Sequence, residues 1–392
     1  MTKNIFRLGA LSLVLASLSG CTLAPPKIGN APASTEKNAF DTAALPGSIW
    51  RSDDGGQTFV PKTFVDEKRK LTKADVLSIS FLQREDGGEK AEELHRVPDV
   101  YVGTVDDMIF KTDDGAEVWQ PVNFPPQKVY SFIASRRSAD RMYATGVVGG
   151  RGKIFRTTDG GETWKDVYTE PGTGTSLPAL EEHPSDPNFL LAGTSAGVVI
   201  KSMDGGDTWK NVGFKVSGPI VAIAFDAQDK NLMYLLAFNG KIYVSRSAGD
   251  GWKDLEEVRT EINKERLAKD KNYKPLPVVT LTGPAMLIAD PYLPETIYVG
   301  AKNGLFRSRN SGFEWEKVNI IESAEQFQLR SLAINPKNSK ELIFAAGRVF
   351  YKSVNAGETW SVVPLNIDRD ISVITYDPVY PDVIYLGLRK TK

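Results

Sequence analysis

Cysteine occurs once in the 392 residues and histidine twice. A single cysteine excludes an internal disulfide and any thiolate metal cluster, and His95 and His183 stand too far apart in the chain to suggest a ligand pair. No metal site and no cofactor are expected. An excess of one charge is missing as well, with 48 Lys plus Arg against 49 Asp plus Glu. That balance removes the global basic field of a nucleic-acid binder, so an electrostatic site must be local. Long apolar runs are also scarce: Leu8 to Leu18 is the only one at the N-terminus, and it is too short to span a bilayer as a helix.

What is present begins with that segment. Lys3 and Arg7 precede the apolar stretch, and Leu18-Ser19-Gly20-Cys21 closes it, a string that resembles the bacterial lipobox. The resemblance implies cleavage before Cys21, acylation of that residue, and attachment to a membrane through more than one acyl chain, since one chain alone binds marginally. Thr22 stands where an aspartate would act as an inner-membrane retention signal, so the outer membrane is expected in a cell with two membranes. The expected organisation is a signal peptide at 1–20, a lipidated Cys21 with a flexible tether at 21–46, and a folded domain at 47–392. The tether is rich in Ala, Pro, Ser and Thr and has no hydrophobic period.

One short pattern recurs through the remainder. Its clearest copy is Arg156-Thr157-Thr158-Asp159-Gly160-Gly161-Glu162-Thr163-Trp164, and relatives begin at Arg51, Lys111, Lys201, Val244, Arg307 and Lys352. The central residues are Asp54, Asp114, Asp159, Asp204, Ser247, Asn310 and Asn355, spaced about 45 residues apart with two gaps near 60. Six of the seven tryptophans end a copy, and Phe59 ends the first. The chemistry is that of a turn: the Asp or Asn accepts backbone N–H bonds, the Ser or Thr two residues earlier donates to it, and the following glycines accept a conformation other residues resist. The acidic strings at Asp53 and Asp113 lack the closing glutamate of a calcium loop.

A period of this length suits one four-stranded blade. First strands are expected to start near Val76, Val129, Thr175, Val221, Val279, Leu329 and Ile371, each followed by a turn such as Asp290-Pro291 or Asp377-Pro378 before a second strand. The chain opens with a third strand near Ser48–Arg51 and ends with a second strand near Val383–Leu388, so one blade is completed from both termini. The reading is an all-β fold, a single seven-bladed β-propeller closed without free sheet edges.

These residues resemble the Asp-box, or BNR, propellers: sialidases, two-propeller xyloglucanases, sortilin and the photosystem II assembly factors. The resemblance implies that the boxes are structural, and by itself it carries no activity. Sialidase-type catalysis would need an arginine triad and a Tyr–Glu pair, and Arg96-Val97-Pro98 is the nearest string to that family's introductory motif. Xyloglucanases place two aspartates between two propellers, whereas one propeller is read here. Asp368 and Asp370 are the acidic pair at the entry to a first strand, and they are the candidates for glycan cleavage.

Because the box joins strands three and four, the loops from strand two to three and from blade to blade share the opposite face. That face receives Lys128, Arg151, Arg330, Arg348, Arg369 and Arg389, cations suited to bidentate binding of carboxylate or phosphate. It also receives two insertions, 65–75 and 256–277, the second an amphipathic helix placed to cap the ring or to dock a partner. The expected function is a membrane-anchored, non-catalytic binding or assembly scaffold at the cell envelope, monomeric, recognising a protein or an acidic polymer such as a polysaccharide. A glycoside hydrolase is the alternative.

Overall fold

The computed structural model describes residues 44–82, 98–106, 108–126, 128–135, 137–138, 140–275, 280–320, 329 and 331–390. Cys21, most of the tether, His95, Arg96, Val97 and Arg330 lie outside the described residues. The described strands form seven antiparallel sheets of four. Blades 1 to 6 follow the chain, with first strands Val76–Leu82, Ser131–Ala134, Ala179–His183, Ile220–Phe225, Met286–Ala289 and Ser331–Asn335. Blade 7 pairs Asp370–Tyr376 and Ile384–Arg389 from the C-terminal end with Ile49–Ser52 and Val60–Pro61 from the N-terminal end. Each first strand touches the first strands of both neighbouring blades, so the ring is closed.

Burial is greatest at the second strand of a blade, because the first strands line the channel and the fourth strands meet solvent. Second strands such as Asp99–Thr104, Met233–Ala237 and Ile297–Ala301 are buried at every position, because both of their faces meet a neighbouring blade. Successive side chains point to opposite faces. Leu190 therefore joins Tyr143 and Ile154 towards blade 2, while Leu191 joins Ile220, Met233 and Trp252 towards blade 4. Fourth strands such as Lys210–Lys215 are mostly exposed.

Four first strands begin later than the sequence suggests, at Ser131, Ala179, Met286 and Ser331 rather than near Val129, Thr175, Val279 and Leu329. The residues ahead of the first two are bonded to other blades instead of a ladder partner. Val129 N–H donates to Thr104 O of blade 1, and Leu177 O accepts from Thr145 Oγ1 of blade 2.

In blade 4 the fourth strand is only Lys253–Asp254, and a helix, Leu255–Lys269, continues from it. Asp254 caps that helix by accepting from Glu256 N–H at 3.0 Å, and Glu256 and Glu257 at its start with Arg266 and Lys269 at its end complement the macrodipole. Leu255 stands three residues after Trp252, as Val318 stands after Trp315, and both pack beneath the box glycine of the next blade. The helix contacts the two outer strands of its blade and contributes nothing to the lining of the central channel. It does not cap the ring.

Candidate recognition face

The seven boxes share one hydrogen-bond scheme. Ser52, Thr112, Thr157, Ser202, Ser245, Ser308 and Ser353 are buried, and each hydroxyl accepts from the backbone N–H four residues on at 2.7–3.1 Å. Six of them donate to the box Asp or Asn at 2.6–3.1 Å. In blade 4 Ser245 and Ser247 approach only to 3.4 Å. Thr208 donates to Asp204 through both its hydroxyl and its N–H, at 2.6 and 2.9 Å, and these bonds hold the Asp204 carboxyl down to about 2. Asp159 is likewise held at about 2, by the hydroxyls of Thr157 and Thr163 and then the Thr163 N–H. For Asp54 desolvation is the largest single influence and opposes the shift, and bonds from Thr58, Ser52 and Gln57 together overcome it and lower the carboxyl.

The first residue of the repeat fastens one blade to the next. Arg156, Lys201, Arg307 and Lys352 donate to the box carbonyls of Gly205, Ala248, Ala356 and Gly55 at 2.7–3.1 Å, and Arg51 bonds Gly115 O in the same way. Tyr101 and Tyr143 reach the box carbonyls of Gly160 and Gly205 from second strands. In blade 4 the cation is replaced by Val244, and the junction to blade 5 uses Asp226 instead, whose Oδ2 accepts from Glu295 N–H at 2.6 Å.

The turns between first and second strands are similarly self-contained. Asp226, Asp290 and Asp377 are buried at the ends of their strands, and each accepts two N–H bonds at 2.8–3.0 Å from its own turn. Burial pushes the Asp377 carboxyl up, against the bonds from Tyr380 and Val379. The proline signal finds two of these three turns. Asp226 precedes Ala227, and the pointer there is the aspartate that follows an apolar strand. His183 occupies the same place in blade 3: its Nδ1 lies 3.1 Å from Ser185 N, its ring stacks on Phe189, and burial lowers its pKa. It is a neutral core residue.

A channel of about 770 Å³ runs through the hub, lined by first strands of blades 1, 2, 3, 5, 6 and 7. Its serines stitch neighbouring inner strands, which diverge too far to form a ladder: Ser80 to Phe132 O, Ser372 to Val76 O, and Ile374 N–H to Ser331 Oγ. The carboxylates among its lining residues, Glu181 and Glu182, are consecutive on one strand, so no carboxylate there faces another across the channel.

Of the predicted cations, Lys128, Arg151, Arg348, Arg369 and Arg389 are described, in loops and strand ends on the face opposite the boxes, over the arc of blades 6, 7, 1 and 2. Arg151 is exposed and has no ion-pair partner among the described residues. Lys128 lies 3.4 Å from Asp106, both well exposed. Arg348 donates to Asp368 O at 3.1 Å and lies 3.9 Å from Asp370, which pairs across the blade with Arg389. Arg369 is engaged inside the fold: only 11% of its side chain is exposed, and it donates to Ala74 O and Asp75 Oδ1 at 3.1 and 3.0 Å. It fastens the 65–75 insertion to blade 7.

That insertion brings cations which were not singled out in the sequence. Lys68, Lys70 and Lys73 are exposed in the connection between blades 7 and 1, while Arg69 lies over the Phe110 ring at 4.9 Å. The signal was the dense string Lys68-Arg69-Lys70. Apolar anchors share the face: Tyr130, 37% exposed, at the channel mouth, and Phe238, 73% exposed, on the strand two-to-three turn of blade 4.

Residues 111–275 match the family model described as photosynthesis system II assembly factor YCF48. The match covers under half of the chain and runs from the third strand of blade 1 to just past the helix. A solved YCF48 bound to a D1 peptide superposes with a TM-score of 0.58 at 14% identity, covering 81% of this chain and 92% of that one. YCF48 from Cyanidioschyzon merolae gives 0.56 at 15%, covering 81% and 96%. The GH74 xyloglucanase from Xanthomonas campestris gives 0.63 at 15%, covering 81% of this chain and 51% of that one. This chain thus spans about half the length of the xyloglucanases it matches. At these identities the shared property is the Asp-box propeller fold. No curated protein matches the chain.

Proposed function

We propose that the protein is a non-catalytic scaffold, held at the cell envelope by a lipid on Cys21, which recognises a polypeptide partner of acidic character through the arc of blades 6, 7, 1 and 2 opposite the boxes. The observation that carries this reading is the division of labour between the two faces. Box acids, box cations and inner-turn acids bond within the ring, whereas Lys68, Lys70, Lys73, Arg151 and the half-engaged Arg348 present positive charge to solvent, and Tyr130 is exposed at the channel mouth. Arginine and aromatic side chains are the residue types that dominate recognition surfaces. A YCF48 propeller solved with a D1 peptide supports a polypeptide rather than a glycan.

In-cell crosslinking with mass spectrometry tests it, comparing wild type with Lys128→Glu, Arg151→Glu, Arg348→Glu and Arg389→Glu combined in a chain whose near-UV circular dichroism is unchanged. Loss of a defined set of envelope partners is expected; an unchanged set would sink the assignment of this face. Arg369 is left in place because its substitution would detach the insertion.

The xyloglucanase likeness keeps one second reading in play, cleavage of a polysaccharide by Asp368 and Asp370. Asp370 sits beside Arg348 and opposite Arg389, and Asp368 is exposed. Under the preferred reading a panel of envelope and plant polysaccharides releases no sugar. Release abolished by Asp370→Asn would establish the enzyme instead.

A further inference from the structure

The helix inserted between blades 4 and 5 is anchored only by its first half. Leu255 and Arg259 are buried and Val258 joins the core cluster with Trp315, whereas Lys264 through Asn272 is exposed at every position. Residues 264–274 carry Lys264, Arg266, Lys269, Lys271 and Lys274 against Glu265 and Asp270, a local excess of positive charge. The four lysines have no ion-pair partner among the described residues, in contrast to Arg156, Lys201, Arg307 and Lys352 on the propeller body, which all do. The tip is nevertheless built: Tyr273 folds back, its hydroxyl donates to Asn263 Oδ1 at 2.9 Å, and the Arg266 guanidinium lies 5.6 Å from its ring. Leu267 is 39% exposed beside them.

Position adds to charge. The insertion joins a fourth strand to a first strand, so its connections belong to the face opposite the boxes. The described chain enters on that same face, where Leu45 N–H donates to Asn366 O ahead of the third strand of blade 7. The insertion follows blade 4, and blades 5 and 6 stand between it and that entry on the shorter way round the ring.

We propose that the tip formed by residues 264–274 is a contact for an anionic lipid bilayer surface, which, with the chain entry as a second point on the same face, turns the recognition face towards the membrane. Clustered lysines are attracted by acidic headgroups, each contributing about fivefold near the surface, and Leu267 and Tyr273 suit the interfacial layer. The orientation rests on the anchoring proposed above; the lipid contact itself does not.

The test is sedimentation of the full chain with phosphatidylglycerol–phosphatidylcholine vesicles and with phosphatidylcholine vesicles. The apolar segment Leu8–Leu18 and any acyl chains act alike on both, so the ratio of the two isolates charge. Wild type is expected to favour the anionic vesicles by at least about tenfold at low salt, the Lys264→Gln, Lys269→Gln, Lys271→Gln, Lys274→Gln variant to lose that preference, and Lys→Arg at the same positions to keep it. Equal binding of wild type to both vesicles, or a glutamine variant that keeps the preference, overturns the proposal; so does a glutamine variant that loses a crosslinked protein partner while its preference for anionic vesicles is unchanged. Charge reversal on blades 6, 7, 1 and 2 leaves the preference intact, which separates failure here from failure of the recognition face.

Discussion

A box aspartate works as an acceptor for its own turn, and the chain itself contains the control, because Asn310 and Asn355 make equivalent bonds to Glu314 N–H and Thr359 N–H at 2.9 Å. Asp204→Asn is therefore expected to fold normally, whereas Asp204→Ala loses the acceptor and costs about 1 kcal/mol, a small sum because water reaches the freed donors. The pH response distinguishes the two acceptors. Asp159 and Asp204 are lowered in the folded state from 3.8 to about 2, so their contribution is complete above the unfolded value and fades as pH falls from about 4 to about 2. Melting temperature across that window should fall less steeply when both are asparagine. A second residue-scale expectation concerns the glycine two places on. Gly56 has φ +93°, and a Cβ there would lie 2.6 Å from Phe350 Cζ, so Gly56→Ala should cost about 3 kcal/mol in denaturant titration from backbone strain and overpacking together. Blade 1 tolerates Ala116 at the equivalent place because φ there is only 69°, closer to the left-handed minimum.

At the scale of elements the boxes act across blades. Lys352 donates to Gly55 O at 3.0 Å and so joins blade 6 to the blade that closes the ring. Lys352→Ala is expected to cost about 1–2 kcal/mol and to raise amide exchange in Ile49–Ser52 before it does so elsewhere; uniform exchange would contradict that placement of the latch. The repeat made the blades legible, since seven aromatics at near-constant spacing mark where each fourth strand starts. It did not reveal the latches, because Arg51, Arg156, Lys201, Arg307 and Lys352 read as ordinary charged neighbours of a turn until the next blade's carbonyl is placed beside them. The first strands of blades 2 and 3 start later than Val129 and Thr175 for a related reason: Val129 N–H and Leu177 O are bonded to other blades, and a one-dimensional pattern does not register that. The helix was legible as a helix from Val258 and Ile262. Its docking on outer strands rather than over the channel depends on Leu255 filling the site beneath Gly312, a contact with the following blade.

At the scale of the whole molecule, closure of seven blades leaves two unequal faces. The box face bonds to itself through side chains supplied by the repeat. The opposite face carries the 65–75 and 256–277 insertions, the exposed Arg151, and exposed Tyr130 and Phe238, none of which the repeat specifies, and for that reason its ligand is the least legible property of the sequence. The periodic signal determines the scaffold, and the departures from period hold the recognition surface. The face was deduced from strand order alone. The separation of Arg369, which is structural, from Arg151, which is exposed, needed the fold.

The central claim, recognition through the face opposite the boxes, is tested most directly by placing a photo-crosslinking amino acid in the full chain in cells. One set replaces Tyr130 or Phe238 on that face, and another replaces Met203 or Val354, exposed on the box face. Adducts to the same partner from Tyr130 and Phe238, with none from Met203 and Val354, are the predicted result. Adducts confined to the box face, or none from either, would contradict it.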